Sequence, residues 1–147
     1  MTERPGVFAP SATDWPVPDK GLHIECQVLV RKGNRLLLQK MRKPDWMVGR
    51  WALPWAPLLL GDEPEEVAKR IVREQLGMEK AKMKLLQVQS HIDQHWDIVI
   101  VYETKAPGKI RLGPDALEAQ FFPKLKLPLP EIDEFHRYVI EALGRLR

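Results

Sequence analysis

In the stretch RIVREQLGM, Arg70 to Met78, an arginine, a glutamate and a glutamine sit where one helix could present them together. Ile71, Glu74 and Gln75 are spaced i, i+3, i+4 and fall on one arc of such a helix. Glu74 offers a carboxylate of the kind that suits Mg²⁺ or Mn²⁺, while Gln75 offers a neutral amide oxygen, a poorer partner for a dication. Ions of that kind clamp phosphate oxygens and activate water. Asp62 and Glu66 are the nearest acids that could join Glu74 in holding a metal. Ile71 offers no ligand atom, and Val67, one turn earlier, makes that side of the arc apolar. Without an ion, Glu66, Arg70 and Glu74 would form a surface ladder in which each pair contributes about 0.2–0.5 kcal/mol. A second constellation lies in SHIDQHWD. His91, Asp93, His95 and Asp97 would share one face of an extended strand, and two histidines with a carboxylate suit zinc or non-haem iron. A turn at Asp93–Gln94 would break that common face.

The elements that must position these residues can be read from patterning. Residues 1–20 are rich in proline without periodicity, and are expected to be an extended arm ahead of one domain, 21–147. HIECQVLVRKGNRLLLQKMR reads as a β-hairpin turning at KGN. A loop, KPDWMVGR, leads into WALPWAPLLL, where Pro54 and Pro57 oppose a long regular strand. Residues 63–76 form the clearest helix. Asp62 is its expected cap, Pro64 suits its first turn, acids crowd that turn, and Gly77 ends it. KLLQVQSHI and HWDIVIVYETK read as a second hairpin. A final helix is expected from Pro130, with Ile132, Phe135, Val139, Ile140 and Leu143 on its buried stripe. Strands interleaved with helices point to a mixed sheet covered by helices.

The run from Trp51 to Met78 resembles the signature of the Nudix hydrolase family, G-x5-E-x7-R-E-U-x-E-E-x-G-U with U aliphatic, commonly led by LPGG. Two registers compete. Aligning the family's Arg-Glu with the literal Arg73-Glu74 puts Leu59 at the first glycine and Gly77 at a paired glutamate. Starting instead at Ala56 puts Asp62 at the first glutamate, Arg70 at the arginine, Glu74 at the first of the paired glutamates and Gly77 at the closing glycine. This second register also aligns LPWA with LPGG. It leaves a degenerate box, Ala56 to Met78, in which Trp55 and Ala56 replace two glycines, and Asp62, Ile71 and Gln75 replace glutamates. The resemblance implies an α+β fold, an α/β/α sandwich with a mixed sheet between helices. It also implies Mg²⁺ or Mn²⁺ as cofactor, a homodimer, and a catalytic base in the acidic loop PDALE, at Asp115 or Glu118. Trp51 and Trp55 could stack on a base or be buried core. Arg50, Trp51, Trp55 and Arg70 are the candidate substrate contacts.

Composition bounds the rest. At 147 residues, 44% apolar and 29% charged, the chain suits one globular domain. No apolar run is long enough to span a membrane, and no secretory signal is expected at the N-terminus. The single cysteine, Cys26, fits a reducing cytoplasm and a buried, inert thiol. A net charge of +3, spread along the chain, argues against nucleic acid as partner. The leading expectation is a Nudix fold with a degenerate metal site, binding a nucleotide, another phosphorylated ligand or a protein partner with little classical hydrolysis. The rival is a metal-dependent hydrolase of a nucleoside diphosphate linked to another moiety. Its site would be rearranged, with Glu74, Asp62 and Glu66 on the metal and Glu118 as base. A third reading is an interaction protein with no small ligand.

Overall fold

The computed structural model describes residues 21–92 and 95–144. The expected arm, 1–20, and the expected turn at Asp93–Gln94 lie outside the described residues. The first hairpin forms as its alternation requires. Strand β1 spans Leu22–Lys32 and β2 spans Arg35–Met41, joined through Gly33, whose φ is 63°. That left-handed backbone suits a two-residue hairpin turn and favours glycine. Two short strands follow, β3 (Trp51–Ala52) and β4 (Trp55–Pro57), kept short by Pro54 and Pro57. Helix α1 is Pro64–Leu76, then come β5 (Lys84–Ile92), β6 (Trp96–Lys105), β7 (Ala116–Pro123) and helix α2 (Glu134–Ala142).

All seven strands join one mixed sheet. β1 and β6 pair in parallel from Leu22↔Trp96 to Arg31↔Lys105, and β5 pairs antiparallel with β6. β1 and β2 pair only at Arg31↔Leu36 and Lys32↔Arg35, beside their turn. Beyond it they splay, and residues 51–57 fill the gap, with β4 on β1 and β3 on β2. β7 covers the other edge of β2. Alternation then sorts the core into two layers. Cys26, Val28, Val30 and Leu37 pack under α1, against Val67, Ile71, Val72 and Leu76. Leu29, Leu36, Leu38, Val99 and Val101 pack under α2, against Val139 and Ile140. The α/β/α sandwich matches expectation. Cys26 is buried in the first layer, and burial pushes its thiol up to about 12, so it is inert at neutral pH. No described helix is long and apolar enough to cross a membrane.

Two local expectations are corrected. The cap position of α1 is Glu63, without a side-chain hydrogen bond, while Asp62 Oδ2 accepts from the Leu59 backbone N–H at 2.8 Å and closes the preceding turn. The last helix begins at Glu134, not Pro130. Residues 129–131 make a single tight turn, and Ile132 then runs extended because it bridges Trp51 and is fully buried. Asp133 caps the helix by accepting from the His136 N–H at 3.3 Å.

Candidate functional site

A cavity of about 830 Å³ opens between the C-terminal half of α1, the loop at 43–46, strand β4 and the loop at 113–115. Arg70, Ile71, Glu74 and Gln75 all line it, so the helix arc faces one cleft. The last turn of α1 leaves backbone carbonyls unpaired within the helix. Here the Gly77 and Met78 N–H groups close back on Arg73 and Val72, and the chain at 111–113 supplies two more donors. Arg111 N–H donates to Leu76 O and Gly113 N–H to Gln75 O, both at 2.9 Å. Gly113 lies so close that a Cβ there would come within 2.6 Å of Glu74 O. Only glycine lets this loop dock, and docking brings Pro114 and Asp115 to the cavity wall.

The interior of the cleft is decided by Gln75. Gln39, buried on β2 beneath α1, donates from Nε2 to Gln75 Oε1 at 2.9 Å, and Gln75 Nε2 donates to the Trp55 carbonyl at 2.8 Å. Both ends of the Gln75 amide are therefore engaged. A carboxylate could accept from Gln39 but could not donate to Trp55 O. Gln75→Glu is expected to cost about 1–3 kcal/mol at neutral pH, because the carbonyl loses its donor and faces a negative charge. Urea unfolding should show that deficit shrinking in acid, where the protonated carboxyl can donate again.

These residues do not fit a Mg²⁺ or Mn²⁺ cradle. Ile71 is 1% exposed and belongs to the core. Gln75 is a neutral amide already bonded on both sides. Glu74 is exposed and is the one carboxylate left on the arc. Asp45 and Asp115 line the same cavity. Among the described residues, though, three acids here do not bring ligand oxygens within 4.8 Å of one another. A hard dication needs several oxygen ligands at 2.0–2.1 Å, roughly half that separation.

The other sequence candidates lie elsewhere. Asp62 is held in its turn. Glu66 pairs with Lys69 at 3.7 Å, and Glu65 pairs with Lys69 at 3.4 Å, in place of the expected ladder through Arg70. Neither Asp62 nor Glu66 lines the cavity. Glu118 is exposed on β7, on the alternation of Phe122, which packs in the α2 layer; it therefore faces away from Glu74. Trp51 is core, edge-on to Phe122 at 5.0 Å, and Arg50 Nη2 donates to Ile132 O at 2.9 Å. Both serve the junction with α2 and not the cleft. Trp55 contributes its backbone to the cleft while its ring meets His136 of α2, edge to face at 5.8 Å. The aromatic ring free at the rim is Trp46, 76% exposed, beside Lys43 and Asp45. Sequence patterning does not single out Trp46 or Gln39. Gln39 does leave a signal, since a polar residue on the inward alternation of RLLLQKM needs a buried partner.

The far side of the sheet is polar near the start of β1. Burial raises Glu25 to about 7, and Gln27 Nε2 donates to Glu25 Oε2 at 2.7 Å. His91 lies opposite Asp97 in the β5–β6 register and so shares its sheet face, but its Nε2 is bonded to Gln89 Oε1 at 2.6 Å and it does not join the group that converges on Asp97. Asp93 lies outside the described residues. His95 and Asp97 instead meet His23 of β1.

Residues 22–143 match the sequence profile of the NUDIX domain. The chain is 31% identical over 121 residues to an ADP-ribose pyrophosphatase of Methanocaldococcus jannaschii, covering 80% of this chain and 70% of that protein. Among solved structures it resembles a MutT NUDIX hydrolase from Burkholderia pseudomallei, with a TM-score of 0.67 and 26% identity over 82% of this chain and 96% of that one. It also resembles the NUDIX domain of Shewanella oneidensis NrtR complexed with ADP ribose. There the TM-score is 0.62 and the identity 16%, over 95% of this chain and 94% of that one, a likeness of fold.

Proposed function

The chain belongs to the Nudix family, and from that premise we propose that its cleft binds a nucleoside diphosphate linked to a second moiety, of the ADP-ribose class, without metal-dependent hydrolysis. The observation that carries this reading is the Gln75 amide. It is tied to Gln39 and to Trp55 O where the family's box has a carboxylate. Support for the ligand class comes from the pyrophosphatase relative and from the lining of the cleft. Arg70 and Lys43 are cations placed to meet a diphosphate, and Trp46 offers a ring on which a base can stack.

Calorimetric titration with ADP-ribose tests this. Affinity is expected to be the same in EDTA and in Mg²⁺, and to fall about tenfold or more in Arg70→Ala, the loss of one charge-assisted hydrogen bond at about 1.5–3 kcal/mol. Turnover is expected to stay far below about 1 s⁻¹, the low end for ordinary enzymes. A second reading rests on Glu74, Asp45 and Asp115 lining one cavity, a rearranged metal site. It requires Mg²⁺ or Mn²⁺ to support turnover near about 1 s⁻¹ or faster, and Glu74→Gln to abolish it. Finding both would replace the binding proposal.

A further inference from the structure

We propose that His23, His95 and Asp97 form a binding site for one borderline divalent transition ion of the zinc class, separate from the cleft. The three side chains come from two strands locked side by side. His23 and Asp97 are register partners in the parallel β1–β6 pair, and His95 immediately precedes β6. By alternation His23 shares the sheet face of Gln27 and Leu29, opposite α1 and its cleft.

The atoms that would ligate are already turned toward a common point. His23 Nδ1 lies 3.7 Å from Asp97 Oδ1, and His95 Nε2 lies 3.7 Å from Asp97 Oδ2. One ligand atom from each residue can be chosen so that all lie within 4.8 Å of one another, the one such group among the described residues. The two imidazole rings are 4.2 Å apart, centre to centre. Contacts of 3.7 Å are too long for hydrogen bonds, so the groups converge without satisfying each other. Tetrahedral zinc with bonds of about 2.0–2.1 Å separates its ligand atoms by roughly 3.3 Å, closer than the 3.7 Å contacts and the 4.8 Å limit of the group. Small rotations of the exposed His23 and the half-buried His95 toward Asp97 close that gap. Two imidazoles and a carboxylate are a donor set for zinc and its neighbours in the first row, and a poor one for Mg²⁺. Three protein ligands leave a position for water. The ion would join the starts of β1 and β6, where backbone pairing begins.

The test uses the full chain, stripped with chelator, and Zn²⁺ alone as probe. One Zn²⁺ should bind per chain and raise the melting temperature, and a large excess of Mg²⁺ should not compete. His23→Ala combined with His95→Ala should weaken binding about 100-fold or more, and Asp97→Asn at least about tenfold, as ligand and partner losses do at such sites. His91→Ala should bind as the parent does. Co²⁺ on the unmodified chain gives a readout that no variant can confound, since visible bands of a four- or five-coordinate, nitrogen-ligated ion are expected. No stoichiometric Zn²⁺ binding, a purely hexaaqua-like Co²⁺ spectrum, or full affinity in the double variant would each overturn the proposal.

Discussion

Ile71→Glu is expected to lower folding stability by about 3–5 kcal/mol, the cost of an uncompensated buried charge, and to restore no catalysis. The side chain is 1% exposed and packs with Val67, Val72, Cys26 and Leu37. A carboxylate there would lose apolar contact and, held in the core beneath the cleft, would have no built partner. A domain of this size is stable by about 5–15 kcal/mol, so the variant would sit near the edge of folding. Ile71→Val serves as the control, with an expected loss of about 0.5–1.5 kcal/mol. Guanidinium unfolding of both variants reads the difference. A well-folded Ile71→Glu protein that gains stability and turnover with Mg²⁺ would show that this position opens onto a competent metal site, and would remove the binding reading.

Acid should destabilise the fold through His136. Complete burial lowers its pKa from 6.5 to about 3. The Leu53 backbone N–H donates to Nδ1 at 3.1 Å, so this nitrogen must stay unprotonated. Between those two values the unfolded chain takes up a proton that the folded chain cannot. The contribution is therefore fully present above about pH 6.5 and is lost progressively as pH falls toward 3. Every tenfold difference in proton affinity between the folded and unfolded chains corresponds to about 1.4 kcal/mol, so the full loss is on the order of 4–5 kcal/mol. His136→Asn can keep an acceptor for Leu53 and cannot titrate there. Unfolding free energies measured from about pH 7 to about pH 3.5 should fall more steeply for the parent than for the variant. Parallel slopes would mean that His136 is not the group responsible.

Much of the fold is legible in the sequence because it rests on local chemistry. The acids in the first turn of α1 and Gly77 at its end mark the helix, and the two-residue turn at Gly33 fixes the first hairpin. The choice of Arg70 over the literal Arg73-Glu74 follows from the same shape-determining positions. What cannot be read there depends on contacts distant in sequence. Gln75 meets Gln39 across 36 positions. His23 joins His95 and Asp97 only because β1 and β6 run parallel, a pairing that no local pattern announces. Trp51 suits either ligand contact or core by type, and only the docking of α2 decides it. The late start of α2 has the same origin, since Ile132 is drawn into an extended bridge that its apolar spacing conceals.

The bonding of Gln39, Gln75 and Trp55 also bears on how such a chain can change over time. Replacing Gln75 with a carboxylate strands the Trp55 carbonyl, and replacing Ile71 puts a charge in the core. On the binding reading, each step alone is expected to lower stability with no return in activity. On the binding reading proposed above, a metal site would require changes at Ile71 and Gln75 together, with stabilising substitutions elsewhere already in place. The single steps back run through weakened proteins, while drift on the exposed rim, at Trp46 for example, carries no such cost. If the cleft binds without a metal, the hydrogen bonds from Gln39 through Gln75 to the Trp55 carbonyl would thus act as a ratchet. On that reading they would leave the choice of ligand free to vary while disfavouring single changes toward a metal site.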